Sequence, residues 1–277
     1  MSRRRVPVAR VTTVAAVVVG ALVIGRGVSG PHFRSLRPGL EFAVLHGEPF
    51  CRGGSSAIAV LRLDPARVRL RVRHYSLEPE HRPLDILEWQ GRTAALAVFN
   101  AGQYYPDYSY MGLLVSDGRV VSHHVHPAYK AALVASPVEG PGRARVLDLE
   151  REPLDARRPR WREIAQSFML FDRTGTLRIR RTSQTANRTV VAEDRDGRLL
   201  VITTEGAYTL HEFASLLRAL PLRITQAMSM DGGEEAMLCV KVGRFRYASF
   251  GRWDGEPDPG GESDRAPLPA VIAVTAE

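Results

Sequence analysis

The chain has 277 residues, of which 44% are hydrophobic and 25% are charged, a composition typical of a globular rather than a disordered protein. Its formal charge of +8 is concentrated at the N-terminus, because residues 1–40 contain seven arginines and no acidic residue, which leaves +1 for residues 41–277. The body of the chain is therefore nearly neutral. This disfavours a basic nucleic-acid-binding domain, and we expect no nucleic-acid partner.

The N-terminal residues have the pattern of an export signal. Four arginines lie within residues 1–10, and the uncharged run VTTVAAVVVGALVIG follows over residues 11–25. A charged segment before an apolar one is typical of a signal peptide, although 15 residues fall short of the roughly 20 that cross a membrane comfortably. We expect export, with residues 1–40 forming a leader helix and linker and residues 41–277 forming one domain. The leader is either cleaved, giving a secreted protein, or retained as a membrane anchor.

The two cysteines, Cys51 and Cys239, are far apart in the sequence. In an exported protein they could form a disulfide that closes a loop of about 190 residues. Two unpaired, partly buried thiols are the alternative. The chain has no CxxC spacing, which argues against metal binding by this pair.

Strand patterns dominate the chain after residue 55. Residues 57–63 are apolar, residues 68–73 alternate apolar residues with arginines, and residues 94–99 form an apolar run that ends at Asn100. The three arginines of residues 68–73 indicate either a solvated sheet face or a stripe that binds a polyanion.

Turn signals and one helix signal follow in the second half of the chain. Asp117-Gly118, Thr174-Gly175 and Asp196-Gly197 each separate two apolar runs, which predicts three hairpins. Thr209 with Glu212 is a capping box and predicts a helix that Pro221 ends. Further strands are predicted over residues 224–230, 236–242 and 269–275, with a polar Gly/Pro loop over 251–268. Together these patterns predict an α+β fold, a single domain with a mixed, hairpin-rich β-sheet core and two or three helices.

Polar residues at three strand ends are the sharpest candidates for a site. They are Asn100, Arg188 and Asp231. Asn100 is followed by Ala101-Gly102, and Asp231 is followed by Gly232-Gly233. An Asn, an Arg and an Asp at one sheet rim would suit an anionic, hydroxyl-rich ligand, since arginine binds phosphate through paired hydrogen bonds. His123-His124-x-His126 is a weaker metal candidate, with a polar strand end before Pro127 as the alternative.

In order and spacing, these elements resemble the phosphodiester glycosidase family. The matching elements are Asn100-Ala101-Gly102-Gln103-Tyr104-Tyr105, Gly112-Leu113-Leu114-Val115-Ser116-Asp117-Gly118, Arg188-Thr189 before Asp196-Gly197, Thr209-Leu210-His211-Glu212, and Ser229-Met230-Asp231-Gly232-Gly233. The resemblance spans roughly residues 90–275. This chain departs from the family pattern at Ala101, where Gly is usual, at Ser229, where Asn is usual, and at Glu234-Glu235-Ala236, where Ser or Thr is usual.

The resemblance implies a hydrolase that cleaves a sugar-1-phosphodiester at the glycosyl C1–O–phosphate bond. It implies Asp231, Arg188 and Glu235 as catalytic residues and a sugar-phosphodiester or a polysaccharide as the partner. Substrate would be bound by Asn100, Gly102, Gly232 and Gly233.

Three questions stay open at this point. No cofactor is certain, but Asp231 and Glu234 could bind a divalent cation such as Ca²⁺. Envelope or exopolysaccharide material is the expected location of the substrate. The alternative function is a catalytically inactive glycan-binding or exopolysaccharide-assembly protein of the cell envelope with the same fold.

Overall fold

Antiparallel strands make up most of the protein. The computed structural model describes residues 30–253 and 265–277, and in this part of the chain seventeen strands accompany two α-helices. The strands are β1 (Arg34–Arg37), β2 (Leu40–His46), β3 (Gly53–Leu63), β4 (Val68–His74), β5 (Ala97–Asn100), β6 (Leu114–Ser116), β7 (Arg119–Ser122), β8 (Ala131–Pro137), β9 (Arg145–Asp148), β10 (Trp161–Phe171), β11 (Thr185–Ala186), β12 (Arg188–Asp194), β13 (Leu199–Thr209), β14 (Ile224–Gly232), β15 (Leu238–Val242), β16 (Phe245–Ser249) and β17 (Ala270–Ala276). The helices are α1 (Ile86–Thr93) and α2 (Leu210–Ala219).

The strands form two sheets. The large sheet has twelve strands in the order β1-β2-β3-β13-β12-β14-β10-β6-β7, with β8 and β9 attached beside β10 and β11 beside β13. The small sheet has five strands in the order β16-β15-β5-β17-β4. Hairpins join β2 to β3, β12 to β13 and β15 to β16, so neighbouring strands run in opposite directions.

The prediction of an α+β fold with a mixed sheet is wrong. The protein is mostly β, its two helices have eight and ten residues, and every ladder among the described residues is antiparallel. The apolar runs after Asp117-Gly118 and Asp196-Gly197 return as the hairpin strands β7 and β13. The connections through α1 and α2 lead from β4 to β5 and from β13 to β14, and each passes over one intervening strand, so no two paired strands of the described chain are parallel. The predicted leader helix lies outside the described residues.

Alternate side chains along each strand point to opposite faces of its sheet, and this alternation explains how the layers pack. In β3, Ala59 and Leu61 point into a core shared with β5 and β17 of the small sheet, while Ile58 and Val60 point to the opposite face. That opposite face is covered by α2. The small sheet follows the same rule, with α1 packing its Trp89 against the outer face. The result is a β-sandwich with one helix on the outside of each sheet.

The two cysteines lie in separate layers. Cys51 packs beside the cluster under α2, Cys239 is buried in the cluster under α1, and both thiols are free. The disulfide is therefore not formed, and the alternative of two unpaired thiols describes the structure.

The arginines of β4 lie on the solvated face of that strand. The inward residues Val68, Leu70 and Val72 are buried, as the alternation predicts. Arg71 lies beside Glu163 and Asp117, and Arg73 binds Glu78, so neighbouring carboxylates already neutralise this face.

Helix α1 begins with a reciprocal cap. The Asp85 carboxylate accepts hydrogen bonds from the amides of Leu87 and Glu88, and the Glu88 side chain accepts one from the Asp85 amide. This Asp-x-x-Glu pattern is present in the sequence, so the start of α1 could have been predicted from it. Neither described helix has the length and apolar character needed to cross a membrane.

Removal of the Asp85 cap should destabilise the protein measurably. Asp85→Ala should lower the free energy of unfolding by about 1 kcal/mol relative to Asp85→Asn, because Asn still caps the helix while both variants lose the charge near Arg265. Urea unfolding followed by circular dichroism measures the difference. Equal stability of the two variants would contradict the capping role.

Candidate active site

The three predicted strand ends meet at one rim of the sandwich. Asn100 ends β5, Arg188 begins β12, and Asp231 and Gly232 end β14. Arg188 pairs in register with Gly232, and the Asn100 side chain binds the backbone of Asp231. Hydrogen bonds of the two sheets therefore bring residues 131 positions apart into one site.

The Asn100 side chain is buried and, in the part of the chain that the structure describes, forms hydrogen bonds only with backbone groups of the protein. This side chain is 1% exposed. Its Nδ2 donates to the carbonyls of Ala101 at 3.1 Å and Asp231 at 3.0 Å, and its Oδ1 accepts from the Met237 amide at 3.1 Å. Because both donors and the oxygen are occupied by backbone groups, Asn100 positions Asp231.

Asp231 is a half-buried carboxyl with an unusual protonation equilibrium. Burial, together with the nearby charge of Glu235, raises its pKa to about 7, although the Gly232 amide and Arg188 act in the opposite direction. The Gly232 amide donates to Asp231 Oδ1 at 2.9 Å. A carboxyl that titrates near neutral pH is suited to accept or donate a proton in a reaction.

Glu235 is the second carboxylate of the site. It ends the short 3-10 turn Gly233–Glu235 that follows β14 and is half-buried. Burial raises its pKa. Tyr104 donates its hydroxyl proton to Glu235 Oε1 at 3.0 Å, which holds this carboxylate near Asp231.

Arg188 is a buried cation held by backbone carbonyls. It is 9% exposed, with Nε donating to Tyr208 O at 3.0 Å and Nη2 donating to Gln184 O at 3.1 Å. Burial lowers its pKa to about 10, so it stays protonated at neutral pH, and the charge of Asp231 favours this state. Among the described residues it has no ion-pair partner, and its Nη1 makes no hydrogen bond. Buried charges are normally paired, which leaves this guanidinium available to an anionic ligand.

The predicted glycines allow close packing around these side chains. A Cβ on Gly102 would lie 2.5 Å from the Tyr110 hydroxyl, and a Cβ on Gly232 would lie 3.1 Å from Arg188 Nη1. Gly233 has φ +75°, and a Cβ there would lie 2.5 Å from the ring of Trp253. A side chain would therefore clash at Gly102 and Gly233 and be tightly packed at Gly232, and the glycines bring Trp253 and Arg188 against the backbone after Asp231.

The metal candidates do not converge in the part of the chain that the structure describes. There, no group of three or more His, Cys, Asp or Glu side chains is placed to hold a metal ion. Glu234 is exposed, unlike Asp231 and Glu235. His126 lies on a loop with its ring stacked on Tyr129 at 4.0 Å, and burial lowers its pKa.

Aromatic residues next to the carboxylates were missed in the sequence. Tyr129 packs against Phe168, and burial with the charge of Asp231 raises its pKa to about 12. Tyr104 touches Tyr108, while Tyr105 is 43% exposed. The segment Tyr104-Tyr105-Pro106-Asp107-Tyr108-Ser109-Tyr110 directly after the Asn100 strand end is the signal that could have found them. Aromatic faces beside polar groups are suited to contacts with sugar rings.

The fold and this site define a β-sandwich with a buried arginine and two carboxylates of raised pKa at one rim. The chain belongs to the phosphodiester glycosidase family, whose model (NAGPA) matches residues 93–275. The predicted resemblance is thereby confirmed, and with it the broad class of a glycosidase-type hydrolase.

Solved structures share the fold at low sequence identity. The catalytic domain of zebrafish N-acetylglucosamine-1-phosphodiester alpha-N-acetylglucosaminidase, auto-inhibited by its pro-peptide, is 17% identical with a TM-score of 0.61, over 90% of this chain and 87% of that one. A hypothetical protein from Synechocystis is 12% identical with a TM-score of 0.61, and the match covers 91% of this chain but only 64% of that protein. Among curated protein sequences, none matches this chain.

Ionisation of Asp231 should lower the free energy of unfolding at neutral and higher pH. An unfolded Asp has a pKa near 3.9, so between about pH 4 and 7 the folded state binds more protons and stability falls as pH rises. Asp231→Asn should therefore have a higher Tm than the wild type at pH 8, with the difference shrinking towards pH 4. Differential scanning calorimetry across this range measures it.

Glu234→Gln is the control for this titration, because it removes the same charge at an exposed position three residues away. A Tm difference for Asp231→Asn that does not change between pH 4 and 8 would contradict the raised pKa.

Proposed function

We propose that the protein hydrolyses a sugar-1-phosphodiester between the sugar C1 atom and the bridging oxygen of the phosphate. The observation that carries this proposal is the buried Arg188 guanidinium, which has no carboxylate partner in the described chain and lies next to the Asp231 carboxyl. Family membership supports the reaction class, and the zebrafish relative is named for such a diester.

In the proposed reaction Arg188 binds the phosphate. Its Nη1 and positive charge stabilise the negative charge that develops on the bridging oxygen when the C1–O bond breaks. The bonding electron pair leaves with the phosphate, giving a phosphate monoester. Because a phosphate monoester is a weak base, this leaving group needs less protonation than a sugar alcohol does.

Asp231 in its ionised form accepts a proton from the water that attacks C1, and it stabilises the positive charge at the sugar ring. Burial, and secondly the negative charge of Glu235, raise the pKa of Asp231, so Asp231 is a stronger base than an ordinary aspartate. Gly232 and Gly233 let the backbone approach the ligand, and the tyrosines after Gly102 provide faces for the sugar ring.

The proposed substrate belongs to envelope or exopolysaccharide material, and the protein is proposed to act outside the cytoplasm. The support is the leader pattern of residues 1–40, with its arginines before an uncharged run. Both the secreted form and the form anchored by residues 11–25 are compatible with this site.

Loss of Arg188 should abolish turnover. Arg188→Ala should lower kcat/KM for a sugar-1-phosphate diester by at least about 100-fold, as expected when one transition-state contact is removed. Release of free sugar from a diester of N-acetylglucosamine 1-phosphate measures the rate. Arg244→Ala, on the exposed turn between β15 and β16, is the matched control and should retain full activity.

Circular dichroism checks that Arg188→Ala is folded, and Arg188→Lys tests whether a cation of different geometry suffices. Equal activity of wild type and folded Arg188→Ala would refute the proposed role of the arginine. Absence of turnover in the wild type, with retained glycan binding, would favour the inactive glycan-binding alternative.

The charge of Glu235 should shift the pH profile of kcat/KM to higher pH. With Asp231 acting as a base, the rate should rise with pH through about 7 in the wild type. Glu235→Gln removes the negative charge that raises the Asp231 pKa, so the rise should move to lower pH. A pH profile of kcat/KM measures the shift, with Glu234→Gln as the charge-matched control, and an unmoved profile in Glu235→Gln would exclude this coupling.

A further inference from the structure

A cavity lies away from the active site, near the opposite end of strand β12 in the large sheet. It has a volume of about 610 Å³ and is formed by the connection from β8 to β9, the start of β10, and residues near the ends of β10 and β12. Along β12, Arg188 pairs with Gly232 at the active site, whereas Glu193 pairs with Gln226 and lines this cavity. Five residues of strand separate the two positions, which corresponds to about 16 Å.

The walls of the cavity carry charges of both signs. Its lining contains four arginines and three glutamates: Arg143, Arg145, Arg160, Arg173, Glu139, Glu152 and Glu193. Glu193 is buried and accepts from the Val146 amide and Gln226 Nε2, and it pairs with Arg173. This part of the lining is fixed by its own hydrogen bonds.

Arg145 is also held in place. Its guanidinium binds Glu152 through two hydrogen bonds, of 3.1 and 2.7 Å, and lies over the ring of Trp161 at 5.5 Å from the centroid. A planar group clamped in this way loses little entropy when a ligand binds beside it.

Two arginines remain available. Arg143 and Arg160 are exposed, and within residues 30–253 and 265–277 neither side chain makes a hydrogen bond or an ion pair. Glu139 is likewise exposed and has no partner in that part of the chain. The cavity therefore offers two free guanidinium groups for an anion and one free carboxylate that can accept hydrogen bonds from hydroxyls.

We propose that this cavity binds an acidic oligosaccharide, with Arg143 and Arg160 holding a carboxylate or phosphate on a sugar and Glu139 accepting from sugar hydroxyls. A polyanion with a charge at every unit fits less well, because three glutamates line the same walls and the body of the chain carries only +1. An acidic glycan carries widely spaced charges among hydroxyls, which matches a lining that contains both arginines and glutamates. Binding here does not require the hydrolysis proposed above.

The test is calorimetric titration of the full chain with three probes: a hyaluronan hexasaccharide, which has a carboxylate on every second sugar, a phosphomannan fragment, and neutral maltohexaose. At least one acidic probe should bind about tenfold more tightly than maltohexaose, and comparison of the two shows whether carboxylate or phosphate is preferred. The double variant Arg143→Ala/Arg160→Ala should lose this preference. Arg157→Ala/Arg158→Ala is the matched control, since it removes the same charge from exposed residues outside the cavity lining and should retain the preference.

Binding no tighter than that of maltohexaose would overturn the proposal, as would an equal loss in both double variants, which indicates unspecific charge attraction. Tighter binding of single-stranded DNA that depends on Arg143 and Arg160 would assign the cavity to nucleic acid instead. Repeating the titration with Asp231→Asn separates the two sites, because that variant should lose sugar release and keep binding at the cavity.

Discussion

The side-chain amide of Asn100 joins the two sheets at the active site, and its hydrogen bonds hold the chain on both sides of the segment that carries Asp231 and Glu235. The amide lies at the end of β5 in the small sheet, and its hydrogen bonds reach Asp231 at the end of β14 in the large sheet and Met237 before β15. A carboxylate in its place could not donate to the Asp231 carbonyl. Each unmet bond in this buried position would cost about 1–3 kcal/mol, so the sheets are held in one arrangement.

This arrangement keeps two opposite charges buried without pairing them. Arg188 and Asp231 influence one another electrostatically but form no ion pair with each other. Backbone carbonyls of Tyr208 and Gln184 hold the guanidinium instead, and the Gly232 amide holds the carboxyl. Charges fixed by backbone groups need no reorganisation when a ligand arrives, which is the condition for electrostatic catalysis. The raised pKa of Asp231 means that ionising this carboxyl costs more free energy in the folded protein than in water.

Local signals in the sequence predicted turns and strand ends better than overall architecture. Asp117-Gly118 forms its hairpin with both residues at positive φ. After Thr174-Gly175, by contrast, Leu177 makes a single bridge to Phe171, and the side chain of Arg178 beyond it binds the carboxylates of Asp172 and Glu150. Such ion pairs depend on tertiary contacts and are not visible in apolar periodicity. The same limit applies to sheet type, since an apolar run does not specify the direction of its neighbour.

Residue roles within the site were harder to predict than its location, and Glu235 shows why. The family pattern has hydroxyl residues where this chain has Glu234-Glu235, and the sequence does not show where the two carboxylates point. In the structure the two glutamates separate: Glu234 is exposed, while Glu235 turns inward and accepts from Tyr104. The hydroxyl of Tyr104, which follows β5, thus binds the carboxylate of Glu235, which follows β14 at a position where the family has a hydroxyl residue. Because both groups come from distant segments, only the folded chain shows that Glu235 acts on the protonation of Asp231.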